Sequence, residues 1–404
     1  MKKKLGIYIH IPFCLSRCGY CGFYSNSVGS GVVDVPVPMK GLPEPGGDPE
    51  ISVVSLPAAL VMKSYYEGIL EEIDRTGKKY GDRYVADTIF FGGGTPSLLD
   101  PKWIRFMVER IREQFGLTPD AEITLESNPK TLDLKKLRQM RAAGVNRLSI
   151  GLQSLSPKVL GIMNRVHTPE DFLRCYHDAR HAGFHNINVD IMFAVPGQSP
   201  ADWTDTLDQV LALQPEHLSF YSLQIEEDTR FYEDYRAGRL ALLDDETDRA
   251  MYHKGLERIR AAGYRHYEIS NAAKPGFECR HNLKYWRFQE YLGLGAAASS
   301  FLEGRRITRA SDLMYRSLPP AENHENSFED DAGEYAFTAL RLSEGIRYRD
   351  FKARFGRAFR DVFGERWGEL DEFFRMGELT EDEEGLRLTE KGIDISNRIM
   401  EVFV

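Results

Sequence analysis

The chain is 404 residues long, 42% hydrophobic, 28% charged and 11% aromatic. That composition is globular, and the length allows two or three domains with at least one large core. Its 61 acidic residues outnumber 52 basic ones, the reverse of the balance in proteins that grip nucleic acid or anionic membranes through phosphates. No run approaches the roughly 20 apolar residues that span a bilayer.

The N-terminal Lys2-Lys3-Lys4 and the following LGIYIHIPF have the outline of a signal peptide, but His10 and Pro12 interrupt it and no small-residue cleavage site follows. A cytoplasmic location is expected. LGIYIH (5–10) opens a series of apolar, partly alternating runs: ADTIFF (86–91), EITLES (122–127), RLSIGL (147–152), INVDIM (187–192) and HLSFYSL (217–223). Segments of helical period lie between them, among them 101–116 and 132–144. Apolar strands alternating with helices predict an α/β fold, a parallel sheet covered by helices. Six such units predict a partial or complete (β/α) barrel over residues 1–235, with its chemistry at the C-terminal strand ends.

Residues 27–58 interrupt this order. They are rich in Gly, Pro and Val without helical period and read as a surface insertion, a loop or lid beside the cysteines that precede it. After about residue 235 the alternation fades. Residues 246–263 predict a helix, HYEIS a short strand, and 236–328 an extension of the barrel. The tail, 329–404, reads as a smaller, mostly helical domain ending in a strand–turn–helix like that of a winged helix. Its acidic EDEE run (381–384) favours a structural or partner role over DNA binding.

Cysteine usage carries the chemistry. Five cysteines are present and three, Cys14, Cys18 and Cys21, fall within eight residues after the first strand. So few, so clustered, do not form a disulfide scaffold. A three-cysteine loop can hold three irons of a cubane and leave the fourth open. Zinc is the rival, but it needs a fourth ligand that the spacing does not supply. Cys175 and Cys279 read as buried thiols. Gly92-Gly93-Gly94-Thr95 ends the second strand, where backbone without side chains lets a ligand approach. Glu126, Gln153, Arg165 and Asp190 follow the next strands and offer carboxylate, amide and guanidinium groups. Arg147 reads as structural.

CxxxCxxC after a first strand, with Tyr20 before the last cysteine, resembles the radical S-adenosylmethionine superfamily. YIHIPFC, FFGGGTPS, LESNP, IGLQS, MNRVH and DIMFAVPGQ extend the resemblance to the coproporphyrinogen III oxidase-like branch over almost the whole chain. The resemblance implies one [4Fe–4S] cluster on Cys14, Cys18 and Cys21. It also implies S-adenosylmethionine held by Tyr8, Tyr20, Gly93, Gly94, Thr95, Glu126, Gln153, Arg165 and Asp190.

Two features sort the chain within that branch. The anaerobic oxidases carry CxxxCxxCxC, and this chain has Phe23 at the last position. The motif His281-Asn282-Leu283-Lys284-Tyr285-Trp286 is similar to that of the heme chaperone family, which implies heme binding at His281 and transfer to acceptor proteins. A cluster-dependent homodimer fits the same expectation. The alternative is a radical enzyme of porphyrin biosynthesis, a coproporphyrinogen III oxidase. An RNA-modifying enzyme fits poorly, because the chain is acidic and lacks a basic appendage.

Overall fold

The computed structural model describes residues 2–38 and 51–404. The six apolar runs form six parallel strands: β1 (Lys3–Ile11), β2 (Tyr84–Gly93), β3 (Leu117–Ser127), β4 (Arg147–Gln153), β5 (Ile187–Phe193) and β6 (His217–Ser222). They lie side by side in chain order. Every residue of β4 is buried, as expected for a strand covered on both faces. Four helices of the crossovers are α1 (Ala58–Tyr80), α2 (Pro101–Phe115), α3 (Leu134–Ala142) and α4 (Pro169–His181). A fifth, α5 (Pro200–Ala212), links β5 to β6. Their starts are written locally. Thr168 and Ser199 each close a capping box, with Asp171 and Asp202 respectively, and each is followed by proline at the first helical position.

The barrel is partial. Beyond β6 the sheet continues antiparallel through β7 (Arg265–Glu268) and β8 (Asn271–Ala273). On the other side β9 (Tyr291–Leu294) pairs parallel to β1, in the register Gly6 with Tyr291. Three antiparallel strands follow: β10 (Ser299–Leu302), β11 (Arg305–Thr308) and β12 (Glu322–Glu325). The result is one sheet of twelve strands. Between the edges run α6 (Asp245–Ala261) and α7 (Arg280–Trp286), the latter made of the HNLKYW segment and the arginine before it.

The segment 27–58 is more regular than a loop. Val32–Pro38 and Ile51–Pro57 pair as an antiparallel hairpin, in register from Val32 with Pro57 to Pro38 with Ile51. Val33 and Val35 are buried against the main core, so valine alternation, masked by the prolines, decides the structure. The expected loop at 39–50 lies outside the described residues.

A second core lies at the C-terminal end. Helix α8 (Phe328–Ala339) and the aromatic residues Phe351, Phe359, Phe363 and Phe403 pack with Phe288 and Phe301 of the sheet extension. A three-stranded sheet and short helices complete this part. No helix among the described residues is long and apolar enough to cross a membrane.

Candidate functional site

The C-terminal ends of β1 to β5 meet the cysteine loop. Cys14 ends a short strand after β1, and Cys14, Cys18 and Cys21 are half-buried free thiols. The loop is tied by Cys21 N–H to Cys18 O and by Gly19 N–H to Met163 O. Thr95 Oγ1 donates to Cys14 Sγ at 3.4 Å, and Arg165 Nη1 donates to Cys18 Sγ at 3.3 Å. Burial raises the Cys14 thiol and pushes Cys21 up to about 11. Metal ligation, which needs thiolates, would therefore release protons here. No three His, Cys, Asp or Glu side chains among the described residues converge closely enough to hold a single ion.

The Gly-Gly-Gly end of β2 forms a cradle. Gly93 has φ +112°, and a Cβ there would lie 2.5 Å from the His10 ring; one at Gly94 would lie 2.7 Å from Phe13 O. Gly93 N–H donates to Glu126 Oε2 at 3.1 Å. Burial, then the nearby Asp190, pushes the Glu126 carboxyl up to about 8. Asp190 is also raised by burial, although it accepts from Ser149 Oγ (3.0 Å) and Asn188 Nδ2 (2.8 Å). Gln153 sits at a register shift of β4 with φ +69°, a left-handed conformation unusual for glutamine and a form of strain common at ligand sites. Arg165 is anchored by Nη2 to Gly151 O at 2.6 Å, while its buried Nε–H has no partner. A paired carboxyl couple, an orphaned guanidinium N–H and an open glycine edge beside three thiols suit a zwitterionic, cationic ligand placed against a cluster.

Tyr8 and Tyr20 flank this centre. Tyr8 OH hydrogen-bonds His10 Nδ1 at 3.0 Å, and His10 Nε2 lies 2.9 Å from Tyr24 O. Because a carbonyl only accepts, Nε2 carries the proton and Nδ1 accepts from Tyr8. The position of His10 as the wall under Gly93 depends on β1–β2 register. The Tyr20 ring packs on Phe231 at 6.3 Å.

His281 is buried in the core beside the second strand. The expected heme ligand is 1% exposed, with Nδ1 2.7 Å from Thr88 Oγ1 and Nε2 2.8 Å from Tyr285 OH. Burial, with Lys284 and Arg147 nearby, pushes it down to about 3, so the ring is neutral and both its nitrogens are hydrogen-bonded in this structure. Glu122 explains the placement, since its carboxylate accepts from Arg280 N–H (3.1 Å) and His281 N–H (3.0 Å) at the start of α7.

The far end of α7 faces a cavity of about 820 Å³. Tyr285 and Trp286 line it with Tyr8 and His10 of β1, Phe23 of the cysteine loop and Phe301 of β10. Phe23 is 68% exposed on its rim. Arg17 and Asp228 also line it, as does Arg306, which is paired with Glu334 and donates to Tyr291 OH. Phe301 and Arg306 escaped sequence reading because only the attachment of β9 to β1 brings them there.

Residues 8–210 match the family model of the radical SAM superfamily, and 327–395 match the HemN C-terminal domain. The chain is 33% identical to the heme chaperone HemW of Escherichia coli (strain K12) over 99% of its length and 98% of the relative's. It is 31% identical to the protein of that name from Bacillus subtilis (strain 168), with 98% of both chains covered. The chain belongs to the HemW family of the radical SAM superfamily. The solved coproporphyrinogen III oxidase of Escherichia coli shares the fold, with a TM-score of 0.81 at 22% identity over 100% of this chain and 90% of that one. These two HemW relatives match 98% and 99% of this chain.

Proposed function

We propose that this chain binds heme and hands it to acceptor proteins. In this reading one [4Fe–4S] cluster sits on Cys14, Cys18 and Cys21, with S-adenosylmethionine against Glu126, Gln153, Arg165 and Asp190. Full-length kinship to the HemW chaperones supports the activity. The single observation that carries the site is the cavity between the cysteine loop and α7. Its volume lies within the range of cofactor pockets. Its aromatic walls suit a flat macrocycle, and Arg17 suits a porphyrin carboxylate. A bound, reduced cluster would supply one electron at the cavity's edge. The chain's own residues do the rest: Tyr285 and Trp286 offer ring faces, His281 holds the Tyr285 hydroxyl, and the Gly93 edge leaves room for the nucleoside ligand.

The second reading is a coproporphyrinogen III oxidase, favoured by the solved fold. Phe23 argues against it, because a phenyl group stands where those enzymes carry a further cysteine. Anaerobically reconstituted protein, assayed in parallel for heme binding and for decarboxylation of coproporphyrinogen III, separates the two. A heme Soret band is expected with negligible decarboxylation. Tyr285→Ala and Trp286→Ala should each weaken heme binding several-fold, since one aromatic contact is worth about 1 kcal/mol. Protoporphyrinogen IX accumulating over many turnovers would establish the enzyme instead.

A further inference from the structure

We infer that Thr95 and Arg165 set the reduction potential of the cluster by hydrogen-bonding two of its three thiolates. The inference rests on the reading of Cys14, Cys18 and Cys21 as cluster ligands. It concerns what the polypeptide does to those sulfurs, whatever the protein's cargo.

The two donors arrive from separate elements and are fixed independently of the sulfurs. Thr95 follows β2, and its backbone N–H is held by Phe13 O at 2.7 Å, which aims the hydroxyl at Cys14 Sγ. Arg165 follows the short helix Pro157–Ile162; its backbone N–H donates to Leu160 O at 2.9 Å. Its Nη2 is spent on Gly151 O, which leaves Nη1 directed at Cys18 Sγ. Cys21 differs, with a backbone donor, Phe23, in place of a side chain. Thr95 and Arg165 can therefore be substituted one at a time, while the Ser25 hydroxyl beside Cys14 and the Phe23 backbone beside Cys21 stay in both variants.

A hydrogen bond to a ligating sulfur draws electron density away from the cluster, and a cation beside it stabilises the added negative charge. Both effects favour the one-electron reduced state, in which the cluster passes from the 2+ to the 1+ level by accepting an electron from an external reductant. Arg165 contributes a full charge in a buried setting and Thr95 only a dipole, so Arg165 has the larger effect. The orphaned Nε–H of Arg165 adds a consequence: an anion bound there offsets the guanidinium charge and makes the cluster harder to reduce.

The test is a mediated dithionite titration of the reconstituted full-length protein, followed by electron paramagnetic resonance of the reduced cluster. At the wild-type midpoint, the ratio of reduced to oxidised cluster should fall about tenfold in Arg165→Met, equivalent to 59 mV for one electron. Thr95→Val, nearly isosteric, should lower it by about threefold. Arg165→Lys, which keeps the charge without the guanidinium fork, should fall between wild type and Arg165→Met. If Arg165→Met fails to load iron, Thr95→Val and Arg165→Lys carry the test alone. Variants that load iron like the wild type and keep its ratio within twofold would overturn the inference. Wild-type protein that loads no cubane would overturn the reading of the cysteines instead, a distinct result.

Discussion

At the residue scale the five cysteines separate into two kinds. Cys14, Cys18 and Cys21 are half-buried beside a hydroxyl and a guanidinium, whereas Cys175 and Cys279 are buried in the core. Replacing any of the first three with Ala should abolish the charge-transfer absorbance of the reconstituted protein. Cys175→Ala and Cys279→Ala should keep it, and loss of the cluster in either would refute the ligand assignment. Glu126 carries a pH prediction. In an unfolded chain a glutamate titrates near 4.3, while here burial and Asp190 raise it to about 8. Between these values the folded protein holds a proton that the unfolded chain has released, so stability from this group is full at low pH and is lost as pH rises through about 8. Glu126→Gln cannot ionise. It should therefore gain stability relative to wild type between pH 5 and pH 9, measured by urea unfolding, and a constant difference across that range would contradict the assignment.

At the element scale, helix α7 is the informative case. Its seven residues are too few for stability from propensity alone, and its start is held by Glu122 on β3, which takes two backbone N–H groups. Glu122→Ala would leave both donors buried without partners, at a cost of about 2–4 kcal/mol. The same change should weaken heme binding, because α7 carries Tyr285 and Trp286 to the cavity wall. His281→Ala removes the partner of Thr88 and Tyr285 and should lower the melting temperature. Heme affinity in that variant should change less than in Tyr285→Ala. A His281→Ala protein of normal stability that has lost heme binding would assign heme ligation to the histidine. The hairpin at 32–57 shows the opposite relation between sequence and element. Its valines alternate, but prolines and glycines obscure the signal, and only burial of Val33 and Val35 against the barrel selects strand over loop.

At the scale of the whole molecule, the C-terminal part is no independent appendage. Its core includes Phe288 and Phe301 from the barrel extension, and Arg341 pairs with the buried Glu268 at 3.5 Å. Asp394 meets His253 of α6 at 2.9 Å. Removing residues 327–404 would expose those phenylalanines and take away the Arg341 cation paired with the buried Glu268 carboxylate. The truncated chain should aggregate or bind a hydrophobic dye strongly; a monomeric, dye-silent barrel would show that the second core is dispensable.

The amino-acid sequence by itself determined the cysteine triad, the six parallel strands and the polar residues at their ends. Each of these is written within a few neighbouring residues: Cys14, Cys18 and Cys21 share one loop, and Gly93, Glu126, Gln153 and Asp190 mark strand ends that alternating β and α periods locate. Tertiary structure alone decided that the barrel stays open and that β9 joins β1 across some 280 residues of chain. That pairing builds the cavity and brings Phe301 and Arg306 to Tyr8. It also decided the fate of His281. A histidine in a motif looks the same whether it faces a ligand or the core, and here the Glu122 cap and the β1–β2 register turn it inward, between Thr88 and Tyr285. Burial is set by contacts between segments far apart in sequence, so no local pattern encodes it.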